Sequence, residues 1–167
     1  MICNDVLGVH STDSSSEEKV PYVPVASILI VEDDSDAAFL IRRLLDRAGI
    51  TAPVEVVTDG EQAIAYLEKC QRTAGCPLPD LLLLDLNLPR CNGFSVLAWI
   101  RAQPALERLR IIVMSSSNWP ADVQRARELG ADDYLEKYPS DADFVARIRQ
   151  TSYLLLAREI KTLGARQ

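Results

Sequence analysis

Short apolar runs recur along the chain, each followed by a polar residue and then by a stretch of helical periodicity. Ile28-Leu29-Ile30-Val31, Leu81-Leu82-Leu83-Leu84 and Ile111-Ile112-Val113-Met114 carry no polar residue at all. An unbroken apolar run of this length marks a strand buried on both faces, which is the habit of parallel sheets covered by helices. Val54-Glu55-Val56-Val57 is a weaker run, and its glutamate suits a strand at an edge. Tyr134-Leu135 belongs to a short fifth strand.

The segments between the runs read as helices. Asp34, Ser35 and Asp36 suit a helix N-terminus, where carboxylates and hydroxyls satisfy free amides. Leu40, Ile41, Leu44, Leu45 and Ala48 then share one face, and Gly49 is placed to stop the helix. A second helix is predicted from Glu61 to Cys70 with Ala63, Ile64 and Leu67 inward, followed by a loop over Gln71 to Pro79. The third runs from Phe94 to Ala102 with Val96, Leu97 and Ile100 as core candidates. The fourth runs from Pro120, a residue well placed in a first helical turn, to Leu129, with Gly130 after it. A fifth helix starts at Asp141, and its early face holds Phe144, Val145 and Ile148. Strands alternating with helices imply an α/β fold: a doubly wound, five-stranded parallel sheet with five helices. With strands three and four central and the glutamate-bearing one at the edge, the pattern fits the flavodoxin-like order 2-1-3-4-5.

Domain organisation follows. Residues 1–26 lack an apolar period and hold a Ser14–Ser16 run, Glu17, Glu18, Pro21 and Pro24, so they are expected to form a flexible extension. The folded domain spans 27–148, and 149–167 extend the fifth helix. Along that extension, Tyr153-Leu154-Leu155-Leu156 and Ile160 are more apolar than a free helix end should be, so a homodimer or partner contact is expected there; the alternative is that it folds back on its own domain.

Composition removes several functional classes. A net charge of −6, from 24 acids and 18 bases, does not attract phosphate backbones, so nucleic acid is not an expected partner. No apolar run approaches the about 20 residues of a membrane span, and the start of the chain lacks the pattern of a secretion signal. A cytoplasmic location is expected. Cys3, Cys70, Cys76 and Cys91 match no zinc or redox spacing, and free thiols are expected of them although Cys70 and Cys76 are near enough to pair. The one histidine, His10, lies outside any helical pattern, which disfavours a phosphodonor role.

In open parallel sheets the functional groups lie beyond the carboxyl ends of the strands. Those positions hold Glu32 and Asp33, Asp85, Ser115 and Lys137. Carboxylates gathered in one place raise one another's pKa unless a cation joins them, and oxygen donors of this kind suit Mg2+. There is no glycine-rich phosphate loop to hold a nucleotide. A carboxylate can instead act as nucleophile toward a phosphoryl group, a transfer that depends on positioning and charge neutralisation.

At this point the chain resembles the response-regulator receiver family. The resemblance spans about Ser27 to Ile148 and rests on Ile-Leu-Ile-Val-Glu-Asp-Asp (28–34), Leu-Leu-Asp-Leu-Asn-Leu-Pro-Arg-Cys-Asn-Gly (83–93), Ile-Val-Met-Ser-Ser-Ser (112–117) and Gly-Ala-Asp-Asp-Tyr-Leu-Glu-Lys (130–137). It implies that Asp85 is the phosphoacceptor, that Asp33 and Asp85 ligate Mg2+ with Glu32 as companion acid, and that the Asn87 backbone carbonyl completes the protein's share of the metal shell. It implies that Ser115 is the switch hydroxyl, Tyr134 the switch aromatic and Lys137 the partner of the phosphoryl group, with Pro89 and Gly93 shaping the loop after the acceptor. Asp34 reads as a cap and Ser116 as a small residue that leaves room.

The implied partner is a sensor histidine kinase or a histidine phosphotransfer protein, with readout, and a homodimer contact, on the side formed by helix four, strand five and helix five. A multistep relay, a degenerate receiver acting as a binding module and an aspartyl phosphatase are the competing readings. The last wants a second acid two residues after the nucleophile, where Asn87 stands. Two departures from the family pattern stand out. Tyr138 separates Lys137 from Pro139, and the stretch from Asp33 to Asp85 is longer than usual, with the excess placed in Gln71–Pro79. That length, with Asp-Leu-Asn-Leu-Pro-Arg, resembles stand-alone receivers paired with phytochrome-type sensor kinases.

Overall fold

The structure, a computed structural model, describes residues 27–150. Expectations about residues 1–26 and about the chain beyond residue 150, including the apolar Tyr153–Leu156 segment, lie outside the described residues.

The elements alternate as read. They are β1 (Ile28–Val31), α1 (Ser35–Arg47), β2 (Val54–Val57), α2 (Gly60–Arg72), β3 (Leu81–Leu84), α3 (Gly93–Arg101), a 3-10 turn (Pro104–Leu106), β4 (Arg110–Ser115), α4 (Pro120–Glu128) and β5 (Asp133–Glu136). Residues 141–150 are helical and form α5 as far as they are described. All neighbouring strands pair parallel, in the order β2-β1-β3-β4-β5.

Strand residues alternate between two cores because successive side chains point to opposite faces. Leu29, Val31, Leu82, Leu84, Ile111 and Val113 meet Ala63 and Leu67 of α2, Val96, Leu97 and Ile100 of α3 and Ala126 of α4. Ile28, Ile30, Leu81, Leu83, Ile112 and Met114 meet Ile41 and Leu45 of α1 and Phe144 and Ile148 of α5. The three central strands are buried throughout, whereas Glu55 of β2 is exposed, as an edge position allows.

Helix starts follow their caps. The side chain of Asp34 accepts from the Asp36 and Ala37 amides, that of Asp59 from the Gln62 amide, and that of Asn92 from the Ser95 amide. Pro120 opens α4.

Three expectations need correction. Leu40 is exposed and Leu44 only half-buried; Ala37 and Ala38 fill the inward face with Ile41 and Leu45, because Leu40 lies a quarter turn away from that stripe. The loop between α2 and β3 starts later than Gln71, since α2 continues to Arg72. Cys70 and Cys76 are a disulfide and not free thiols: the chain turns back after the last turn of α2, where the Cys76 amide donates to the Thr73 carbonyl, and the two Cα atoms come to 4.7 Å. Cys91 is a free thiol. No helix among the described residues is long and apolar enough to cross a membrane.

Candidate functional site

The parallel register places the site. Val31 of β1 is level with Leu84 of β3, so Glu32 and Asp85 leave the sheet side by side. The Asp85 amide donates to the Val31 carbonyl at 3.0 Å, and the Glu32 amide to the Val57 carbonyl at 3.0 Å, so both backbones are still held as the strands end. Ser115 is the last residue of β4, paired with Glu136 of β5; the Lys137 amide donates to the Ser115 carbonyl at 2.8 Å.

Lys137 crosses this edge and joins the acids. Its ammonium lies 2.8 Å from Asp85 Oδ2 and donates to Glu32 Oε1 at 3.0 Å. Glu32 Oε2 also lies 2.8 Å away, but at an angle that leaves this buried oxygen without a hydrogen bond. Glu32 and Asp85 are almost fully enclosed, at 1% and 3% exposed, while Asp33 faces solvent. Asp85 Oδ1 accepts from the Asn87 amide at 3.2 Å, and Glu32 Oε1 from the Asp34 amide at 3.2 Å.

Burial pushes the Glu32 carboxyl above its ordinary pKa; the hydrogen bond from Lys137 offsets part of this and the charge of Asp85 adds to it. Burial alone would lower the pKa of Lys137, but hydrogen bonds to Asp85 and Glu32 outweigh it and the net shift is upward. The ammonium is therefore firmly charged.

One carboxylate oxygen each from Glu32, Asp33 and Asp85 lies within 4.8 Å of the others. Hard oxygen donors that converge in this way, with one buried oxygen short of a partner, fit a divalent cation such as Mg2+. The exposed Asp33 leaves the position open to water, which Mg2+ characteristically retains.

The remaining predicted residues lie around this core. Ser115 is fully buried, and its hydroxyl accepts from the Ser117 amide at 3.2 Å. Tyr134 is half-buried, and its hydroxyl donates to the Ser117 carbonyl at 2.6 Å. Burial raises the pKa of the phenol, which keeps it a donor. The aromatic is thus already tied to the loop after β4. The Asn87 side chain reaches Ser116 Oγ at 3.5 Å, a long contact. Gly93 packs its Cα against the loop after Asp85: a Cβ there would fall 2.7 Å from Leu86 Cα and 3.0 Å from the Asp85 carbonyl carbon. Tyr138 does intervene before Pro139; it adopts a φ of +64°, and no peptide bond among the described residues is cis.

Sequence reasoning passed over an ion pair in the loop after Asp85. Asp59, which caps α2, is fully buried and bonded to the guanidinium of Arg90 in the loop after Asp85. The Asp59-Gly60 pair ahead of a helical pattern signals the cap, but nothing in the spacing announces the arginine.

Residues 28–149 match the family described as response regulator receiver domain. Response regulator Rcp1 of Synechocystis is 36% identical over 114 residues, covering 68% of this chain and 78% of that protein. The structure of the phosphorylated cyanobacterial phytochrome response regulator RcpA superposes with a TM-score of 0.66 at 31% identity, covering 80% of this chain and 96% of that one. The Mn(2+)-bound form of Rcp1 superposes with a TM-score of 0.63 at 33% identity, covering 75% and 90%. The sheet order, the edge at which the acids gather and these likenesses agree: the chain belongs to the response regulator receiver family.

Proposed function

We propose that the protein is a phosphorylation-operated switch that takes a phosphoryl group from a phosphohistidine onto Asp85. The observation that carries this reading is the ammonium of Lys137 held between Asp85 and Glu32, with Asp33 completing a cluster of three carboxylates.

The Asp85 carboxylate is the nucleophile. One of its oxygens bonds to phosphorus while the phosphorus–nitrogen bond of the donor breaks and the imidazole leaves, which yields an acyl phosphate. Lys137, already against Oδ2, is placed to neutralise charge on the phosphoryl oxygens. Glu32, Asp33, Asp85 and the Asn87 backbone carbonyl would hold Mg2+, which when bound supplies further positive charge to the transferring group. The Mn(2+)-bound state of Rcp1 supports a divalent ion here. Glu32 is the most enclosed of the three carboxylates, and its Oε2 accepts no hydrogen bond, so it has a lone pair to offer the cation.

Readout runs through Ser115 and Tyr134. The Ser115 hydroxyl accepts from the Ser117 amide, and its own O–H can be drawn toward a phosphoryl oxygen on Asp85. Tyr134 holds the Ser117 carbonyl, so movement at Ser115 is passed to the α4–β5 surface. The partner is a sensor histidine kinase or a histidine phosphotransfer protein in the cytoplasm. Self-association through α4, β5 and α5 is the second proposed contact; sedimentation of the full chain showing only monomer at micromolar concentration would remove it.

The test is incubation with Mg2+ and a small phosphodonor such as phosphoramidate, read by intact mass. Wild type should gain one phosphoryl group and Asp85→Asn none; no gain on wild type would refute the proposal.

A further inference from the structure

The loop from Leu86 to Asn92 connects Asp85 to α3, and its conformation is unusual at one point. Arg90 has a φ of +64°, in the left-handed region that a non-glycine residue rarely occupies. The Cys91 amide donates to the Pro89 carbonyl at 2.7 Å, across a single intervening residue. Positive φ at the centre of a two-residue hydrogen bond describes a γ-turn of the strained hand. Such a turn persists only where its surroundings over-determine it.

Two contacts on the neighbouring β2–α2 junction do so. The Arg90 guanidinium bonds to Asp59, whose carboxylate is fully enclosed and is also bonded to the amide and the side chain of Gln62. One residue on, the Cys91 carbonyl packs so closely on Gly60 that a Cβ at that position would collide with it and come within 2.7 Å of Val96 Cγ2. Asp59 is therefore fixed first, as the cap of α2, and the strained turn is fastened to it. The bond from the Gln62 amide holds the Asp59 carboxyl below its ordinary pKa, burial works against this, and the charge of Arg90 adds to the lowering, so the acceptor stays ionised. At the other end of the loop, Gly93 donates to the Leu86 carbonyl at 3.0 Å and Asn87 to Asp85 Oδ1 at 3.2 Å. The segment that carries Asn87 is thus tied down at both ends.

We infer that Asp59 and Arg90 are positioning residues: their ion pair latches the loop after Asp85 onto the start of α2 and so sets the backbone that faces the divalent-cation site. The latch touches neither the phosphoryl group nor the cation. It acts by holding Asn87 and Asp85 in register with Glu32 and Asp33, and it rests on the reading of that cluster as a Mg2+ site.

The experiment uses the full chain and compares wild type with Asp59→Asn, which keeps a capping oxygen, and with Arg90→Ala and Arg90→Lys. Mg2+ affinity is titrated by calorimetry, and cutting by trypsin after Arg90 is followed in EDTA. Arg90→Ala and Asp59→Asn should weaken Mg2+ binding about tenfold, as losses behind a metal's direct ligands do. Arg90→Lys should recover part of this. Asp59→Asn should be cut after Arg90 faster than wild type, because local opening governs cleavage. Unchanged Mg2+ affinity in both Arg90→Ala and Asp59→Asn would overturn the inference, even if both melt earlier, since a merely structural pair would lower stability alone. Neither readout involves a phosphodonor, so failure of wild type to gain phosphate would overturn the reading of Asp85 and not the latch.

Discussion

Lys137 and Asp85, at the ends of β5 and β3, meet at 2.8 Å across the carboxyl edge of the sheet, and the same ammonium also faces Glu32. One cation answers two buried carboxylates, with a third close by. The cluster is short of positive charge, and the proposed divalent ion and phosphoryl group would draw on that shortage.

Removing the ammonium should expose the imbalance. Lys137→Met leaves Glu32 and Asp85 enclosed without a counter-charge, and breaking a buried pair of this kind costs about 3 kcal/mol. Urea unfolding in EDTA should show that loss, and added Mg2+ should restore more stability to the variant than to wild type. Equal stabilisation of both by Mg2+ would mean that Lys137 and the cation do not share the same carboxylates.

The Asp59 cap has a pH signature. Its pKa is lowered on folding, so its contribution is fully present above the unfolded value near 3.8 and is lost as pH falls through the folded value. Asp59→Asn should therefore melt earlier than wild type at neutral pH, and the gap should close as pH drops below about 3.8. Melting followed by circular dichroism across that range checks this; a gap that widens toward acid would contradict it.

At the opposite edge of the sheet, Asp132 joins the end of α3 to the start of β4. It pairs with Arg101 at 2.9 Å and with the enclosed Arg110, and it accepts from the Ile111 amide at 2.9 Å. Arg110 is 4% exposed, so Asp132→Ala strands a buried guanidinium and should cost about 3 kcal/mol in urea unfolding. Phosphorylation of the folded fraction should proceed as in wild type, because the change lies away from Asp85.

Phe144 is the largest fully buried side chain of α5 and shares one core with Ile28, Ile30 and Ile112. Phe144→Ala should lower stability by about 3–5 kcal/mol. Hydrogen exchange of residues 141–150 should rise more than that of β3; uniform protection would show that α5 is held elsewhere.

The strands were legible because β1, β3 and β4 are wholly apolar, and Glu55 marked the edge without any knowledge of pairing. The fifth strand was harder. Only Tyr134 and Leu135 carry a signal, and its extent over Asp133–Glu136 is decided by pairing with Ile112–Ser115. The 3-10 turn at Pro104–Leu106 has no periodicity to announce it. The convergence of Glu32, Asp33, Asp85 and Lys137 was readable because these residues follow the strands, and a parallel sheet carries such positions to one edge. Arg90 was not readable, since its partner Asp59 is brought near only by the folding back of the loop after β3. The Cys70–Cys76 pairing escaped for a similar reason: the turn that brings the two Cα atoms together forms only in the fold.

The most direct test of the phosphoacceptor site is chemical. Protein incubated with Mg2+ and phosphoramidate is reduced with borohydride, which converts an aspartyl phosphate to homoserine, and the modified position is located by peptide mass spectrometry. Homoserine at position 85 is the expected result; homoserine at another aspartate, or at none, would contradict it.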